Sequence, residues 1–393
     1  MINKVRIAET FRWLVSIDSV SREEGAICQA LRDKLAGMGA EIFIDSAGEK
    51  TGSDCGNLVA KFKGDLDVPP MMLNAHMDTV EPGRGIRPVF KDGVFTGSGD
   101  TILGADDKSA IAILLEALTV MQEKKIPHGP IELVLTVCEE VGLLGAKHLD
   151  YGLIDSKIGF ALDSTDTAGI ITRAPAANQI EIKVHGKDAH AGAAPEKGIN
   201  AICLAAEALS KLTIGRIDHE TTCNIGVIQG GFATNIVPNL VTLKGEARSH
   251  DEEKLRKVTD TIRNGFETVV DEYRRKHGDD GLPSLTFNAE SDFPSTNIPE
   301  DHPVVVLAKN AAKNLGRDIK SKISGGGADA NIFFQKGIVT GVLGTGMMDM
   351  HTVRESVRLD DLVRMAELVL EILRIHASQV SDGPRQTARG RRL

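Results

Sequence analysis

The chain is short of cysteine. There are five in 393 residues, at positions 28, 55, 138, 203 and 223, an odd number with no C-x-x-C pair. Such a set is neither a disulfide framework nor a cysteine-rich zinc site, and it fits reduced thiols in a cytoplasmic protein. Basic charge is not in excess either: 46 Lys and Arg face 55 Asp and Glu, a net charge of -9. A chain-wide nucleic-acid surface needs a basic face, so no nucleic-acid partner is expected. No uncharged apolar run approaches the roughly 18 residues of a membrane-spanning helix, so no membrane partner is expected. The opening MINKVRIAETFRWLVSID has charges scattered through it and no apolar h-region, so no signal peptide is expected. Internal repeats, G-x-x-x-x-G-K-[ST] and G-x-S-x-G are all missing. A loose G-x-G-x-x-A at 325–330 stands late in the chain and would turn Asp329 toward phosphates, so a nucleotide reading is set aside.

What is present is an ordinary folded composition, hydrophobic 41% and charged 26%, in a chain long enough for two or three domains. Residues 4–17 and 23–38 read as amphipathic helices, with Phe11 and Trp13 as core. Short apolar runs at 57–62, 71–75, 131–137, 158–162 and 338–343 read as buried strands, and 108–124 as a helix between two of them. Strands alternating with helices predict an α/β domain, a mostly parallel sheet flanked by helices. The middle of the chain changes character. Strands at 178–184, 223–228, 240–247 and 285–288, with helices at 200–212 and 251–276, follow the split βαβ order of a ferredoxin-like α+β domain. The expected division is 1–173 plus 293–393 for the α/β domain, with 174–292 inserted. A further helix is expected at 303–315, and the basic end 385–393 reads as a frayed tail.

Open α/β sheets bind ligands beyond the carboxyl ends of their strands. His76 and Asp78 follow one predicted strand, Glu139 and Glu140 another, Asp163 a third, and His351 comes after the last, past a Gly-rich loop. Asp106 and Asp107 open the helix at 108. His76 and Asp78 share a face of an extended segment, as a metal ligand with its carboxylate partner or as a local strand-end hydrogen bond. Glu139 and Glu140 are either a solvated acidic loop or a metal ligand beside a general base, since neighbouring carboxylates repel unless a cation or proton separates them. Asp107 is read as a helix cap, and Asp106 as functional because of what else reaches the same rim. His76, His351, Asp106, Glu140 and Asp163 would serve two ions if one carboxylate bridges. Ligation by N and O without thiolate suits zinc, and also cobalt or manganese.

The blocks LNAHMDTV (73–80), LGADDKSA (103–110), VCEEVGLLGA (137–146), ALDS (161–164) and MHTVRESV (350–357) resemble the two-zinc peptidase and amidohydrolase superfamily. That group includes peptidase T, carboxypeptidase G and the aminoacylases; the form GADDK is similar to the peptidase T branch. Further blocks occur in order in the insertion: GKDAHAGAAPEKGINA (186–201), GGFATNIVPN (230–239) and EARSHD (246–251). The resemblance implies two zinc ions per subunit, one held by His76 and Asp163, the other by Glu140 and His351, with Asp106 bridging. It implies that Asp78 orients His76, and that Glu139 is the general base and then the acid toward the leaving amine. It implies that His190 supports the oxyanion and that Asn235, Arg248, Gly325 and Gly326 meet substrate. The implied activity is hydrolysis of short peptides by a peptidase T-like aminopeptidase using a metal-bridged water, with N-acyl or N-carbamoyl amino-acid hydrolysis, or an inactive metal-binding interaction protein, as alternatives. The insertion would be a lid and a homodimerisation surface. Arg248 also reads as a strand-end ion pair. His128, His185, His219, His250, His277, His302 and His376 read as surface or packing residues.

Overall fold

The computed structural model describes residues 1–278 and 280–378, so the basic end at 385–393 lies outside the described residues. The chain forms two compact units. Of the described residues, one holds 1–172, 298–323 and 328–378; the other holds 173–278, 280–297 and 324–327.

The first unit is built on a sheet whose central strands are parallel. In spatial order these are Ile131–Thr136, Met71–His76, Ile158–Ala161 and Val339–Leu343. Met71–His76 and Ile131–Thr136 are buried at every residue. They therefore read as continuous apolar runs rather than alternating ones, as strands covered on both faces must. Antiparallel strands flank this centre: Leu58–Phe62 and Glu41–Ile44 on one side, Gly169–Ala174 on the other. The helix Ala105–Glu123 is buried nearly throughout and packs beneath Lys4–Val15 and Leu359–Ser378. Phe11 is core and Trp13 is half-buried against it. Asn3 caps the first helix, its Oδ1 accepting from the Val5 and Arg6 amides, each at 3.1 Å. Three short strands, Val89–Lys91, Val94–Thr96 and Ser356–Arg358, form a separate small sheet that the sequence pattern does not announce.

The parallel register puts chemistry at one end. His76 lies opposite Thr136, so both strands finish level. Glu139 and Glu140 come just after the second of these strands, Asp163 follows Ile158–Ala161, and His351 lies beyond Val339–Leu343.

In the second unit the sheet order is Gly215–Arg216, Thr221–Gly230, Leu240–Ser249, Ala176–His185 and Ser284–Phe293, antiparallel throughout. The four long strands carry the ferredoxin-like order. The helices Ala201–Lys211 and Glu252–His277 cover one face. Ile180, Ile182 and Val184 face that core while their neighbours do not, the alternation of a sheet packed on one side. The long helix buries Leu255, Val258, Thr259, Ile262, Phe266 and Val269 at helical spacing. Asp251 caps its start, acids fill its first turn and Arg274 to His277 its last, both complementing the helix dipole. The last strand, Ser284–Phe293, is far longer than the segment 285–288. Its polar, charged residues suit an edge facing water, where apolar content under-reports strand length.

Candidate metal centre and active site

The strand ends bring together two imidazoles and a group of carboxylates. His76 Nδ1 donates to the Asp78 carbonyl oxygen at 2.9 Å, which directs Nε2 at Asp106 Oδ1, 3.0 Å away. The other Asp106 oxygen, Oδ2, lies 3.3 Å from His351 Nε2, and the same nitrogen lies 2.9 Å from Glu140 Oε1. Asp106 thus turns one oxygen toward each histidine. His76, Asp106 and Glu140 offer ligand atoms within 4.8 Å of one another, as do His76, Glu139 and Asp163, and Asp106, Asp107 and Asp163.

Two expectations change on contact with this geometry. Asp107 stands just before the regular helix but its carboxylate does not cap it. Asp106 and Asp107 are both non-helical, so the regular helix begins at Lys108, yet the Asp107 side chain accepts from none of its amides. Asp107 is fully buried, with Oδ2 accepting from the His76 amide at 3.2 Å. Asp78 sits against His76, but its backbone carbonyl is the closer acceptor of the ring Nδ1–H; its carboxylate stands 3.4 Å from Nδ1. That carboxylate accepts instead from the amides of Glu139 at 2.9 Å and Glu140 at 3.2 Å, and from Ser21 Oγ at 2.6 Å. It holds the turn that carries the paired glutamates.

The remaining expected site residues lie in the second unit. His190 is exposed, and its Nδ1 accepts from the Gly192 and Ala193 amides, each at 3.1 Å, which makes Nε2–H the outward donor of the neutral ring. Asn235 is exposed, and its carbonyl receives the Ala191 amide. The Arg248 fork is taken by Glu246, at 3.0 and 2.9 Å, and its guanidinium lies over the Phe293 ring. The strand ion pair is the arrangement found. Gly325 has open space where a side chain would stand, and a Cβ on Gly326 would come 3.7 Å from Arg248 Nη1.

The pattern of peptidase family M20/M25/M40 matches residues 72–375. The chain belongs to this family. It is a metal-dependent hydrolase of peptide bonds. Its sequence is 40% identical over 374 residues to an uncharacterised Bacillus subtilis protein, YqjE, covering 95% of this chain and 99% of that one. Among solved structures it is similar to an aminopeptidase PepT from Bacillus cereus, with a TM-score of 0.86 and 41% identity over 96% of this chain and 99% of the other. It is also similar to a tripeptidase from Staphylococcus aureus, with a TM-score of 0.90 and 39% identity over 96% and 100%.

The donor set suits the divalent cations that such a family employs. It is imidazole and carboxylate, with Cys138 Sγ directed away to Glu24 at 3.4 Å. Burial pushes the Glu139 and Asp107 carboxyls well above their usual range and raises Glu140. Burial, then the neighbouring Asp106 charge, takes Asp163 to about 8. Burial opposes ionisation of Asp106 too, but hydrogen bonds from His351 and His76 outweigh it and hold that carboxyl below its usual range. The Asp106 and Glu140 oxygens draw His351 up to about 10. Buried Asp107 Oδ1 and Asp329 Oδ1 have no hydrogen-bond partner. So much negative charge around two imidazoles calls for added positive charge, which bound cations supply.

Three residues at this centre escaped the sequence reading. Glu355 is fully buried and accepts from the Leu103, Gly104 and Asp106 amides at 2.7, 2.7 and 2.9 Å. It ties the loop of His351 to the loop of Asp106, and its place in the MHTVRESV block was the available signal. Asp329 bonds Thr136 Oγ1 and is raised to about 6 by burial. Lys108, also fully buried, donates to the Ile17 carbonyl at 2.6 Å and is lowered to about 7 by burial. The set-aside histidines have structural partners: His302 caps the helix Pro303–Asn314, His376 bonds the Pro69 carbonyl and His250 the Ser324 carbonyl.

Proposed function

We propose that the protein is an aminopeptidase of the peptidase T kind, releasing the N-terminal residue from short peptides such as tripeptides, with two zinc ions per subunit. The observation that carries this reading is Asp106, with one oxygen at each histidine, as a carboxylate shared by two cations must be. His76 and Asp163 would hold one ion, Glu140 and His351 the other. When bound, the ions polarise the scissile carbonyl and make water a nucleophile near neutral pH. Glu139 takes the proton from the attacking water and returns it to the leaving amine. Its buried position, where the neutral form is favoured, suits the second half of that cycle. His190, with Nε2–H free to donate, stabilises the oxyanion, and Asn235, Arg248 and the Gly325–Gly326 backbone contact substrate. The similarity to a PepT aminopeptidase and a tripeptidase supports the substrate class.

The reading extends to a cytoplasmic homodimer. The five cysteines are free thiols. In the second unit the strand Thr221–Gly230 exposes Val227 and Ile228, and Phe232 just beyond it is 93% exposed, an apolar edge suited to a second copy. No described helix is long and apolar enough to cross a membrane.

The test is a peptide-library digest of metal-loaded protein, with products identified by mass spectrometry, beside the variant Glu139→Gln. Free N-terminal amino acids are expected from the wild type, and a loss of at least about 10²-fold in kcat from the variant with metal still bound. Carboxylic acid or ammonia released from N-acyl or N-carbamoyl amino acids, with peptides untouched, would replace the aminopeptidase by an amidohydrolase.

A further inference from the structure

We propose that Glu24 is a positioning residue for Glu139, fixing through the Cys138 amide the backbone from which that carboxylate projects. The inference rests on the reading of Glu139 as the base, and concerns a residue upstream of the matched segment 72–375.

Glu24 is fully buried and stands just before the helix Gly25–Gly37, yet its side chain makes no hydrogen bond to that helix. It turns to the glutamate loop. Its Oε1 accepts from the Cys138 amide at 2.9 Å, from Cys138 Sγ at 3.4 Å and from the Arg22 amide at 3.0 Å, while Oε2 accepts from Ser53 Oγ. Three successive amides, those of Cys138, Glu139 and Glu140, therefore end on buried carboxylates, the first on Glu24 and the next two on Asp78. Cys138 is where such support matters. Its φ of +53° is a left-handed conformation that a residue with a side chain rarely adopts, and that persists where the surroundings over-determine it.

The segment that carries Glu24 is itself stitched down. The Ser19 carbonyl accepts from the Thr79 amide at 2.9 Å, the Ser21 amide donates to the Thr79 carbonyl at 3.1 Å, and Ser19 Oγ donates to the Met77 carbonyl at 2.8 Å. An acceptor on so fixed a support can define the aim of Glu139, and small displacements of a catalytic group are costly to rate. Glu24, Asp54 and Cys55 also converge. Both Glu24 oxygens are already taken by hydrogen bonds, so the amide contact is the stronger basis.

Two variants separate acceptor position from charge without opening a large cavity. E24Q keeps an oxygen where Oε1 stands, and its amide can donate to Ser53 Oγ, whose hydroxyl turns to accept. E24D keeps the charge but draws the acceptor back by one methylene. In steady-state peptide hydrolysis, E24Q is expected within about threefold of wild type, and E24D to lose at least about tenfold in kcat with KM and bound metal unchanged. With selective ¹⁵N-cysteine labelling of the five cysteines, the Cys138 amide, assigned from the peak missing in C138A, is expected to lose hydrogen-exchange protection in E24D and keep it in E24Q. The reverse order of rates, a loss in E24D that tracks loss of metal, or unchanged Cys138 protection in E24D each overturns the proposal. The exchange measurement decides it even if the wild type cleaves no peptide, an outcome that overturns only the aminopeptidase reading.

Discussion

In the first unit the polar side chains of interest are buried and crowded: Asp106 and Asp107 cluster with Asp163, and Glu139 with His76 and Asp163, Asp106 meeting imidazoles and Asp107 a backbone amide. In the second unit His190 and Asn235 lie in the open and Arg248 is matched one to one with Glu246. The cores differ in the same sense. A sheet covered on both faces reads as unbroken apolar strands, while the sheet covered on one face alternates. Side chains at the ends of doubly covered strands are held rigidly at low dielectric, where charge is expensive until cations arrive. Those on the half-covered unit are solvated and separately adjustable. The first arrangement suits a preorganised centre, the second suits contact with a substrate that must enter and leave.

Removing the cations should break this contrast most severely. Chelation is expected to abolish peptide hydrolysis and leave the first unit's carboxyls uncompensated. Asp163, raised from 3.8 to about 8, favours the folded state in its protonated form, so that stabilisation is present below 3.8 and lost as pH climbs through about 8. His351, raised to about 10, acts in the same direction; Asp106, held low, acts oppositely but only at more acid pH. The metal-free protein should therefore melt at progressively lower temperature between about pH 5 and about pH 8, while zinc-loaded protein gains most at the upper end, where its ligands are deprotonated. Differential scanning calorimetry of both forms across that range checks the sign. A metal-free Tm that rises with pH would count against the buried cluster.

Glu355→Ala is next in size. It leaves the amides of Leu103, Gly104 and Asp106 without their acceptor and loosens the Asp106 loop. Metal affinity should fall by about 10- to 100-fold, read by calorimetric titration. The smallest effect sharpens the other side of the comparison. Arg248→Ala should raise KM by about tenfold with kcat nearly unchanged if the guanidinium leaves Glu246 to bind a peptide carboxylate. An unchanged KM would make the pair with Glu246 purely structural.

His76, Glu140 and Asp163 could be picked out as candidate ligands because each stands at or just after an apolar run, and strand ends in a parallel sheet converge; Asp106 opens a helix and His351 lies past a Gly-rich loop, so neither is marked by an apolar run alone. Asp107 was misread because Asp beside a helix start is ordinarily a cap. Only the non-helical backbone at 106 and 107 turns it into the cluster. Asp78 was placed beside His76 correctly in sequence, but which of its oxygens meets the ring, and that its carboxylate holds the Glu139–Glu140 turn, depends on a loop 61 residues away. Glu24 and Asp329 were invisible for the same reason, since acids in polar stretches look solvated until the fold buries them, and Glu355 was passed over despite its place in the MHTVRESV block.

The sequence by itself determined the layering and the two kinds of sheet, and offered candidates for metal binding, because hydrophobic period and residue chemistry are local properties. Only the tertiary structure decided which carboxylates are buried together, which oxygen faces which nitrogen, and which distant acids hold the loops in place. Those are contacts between segments far apart in the chain, set by packing rather than by any local preference.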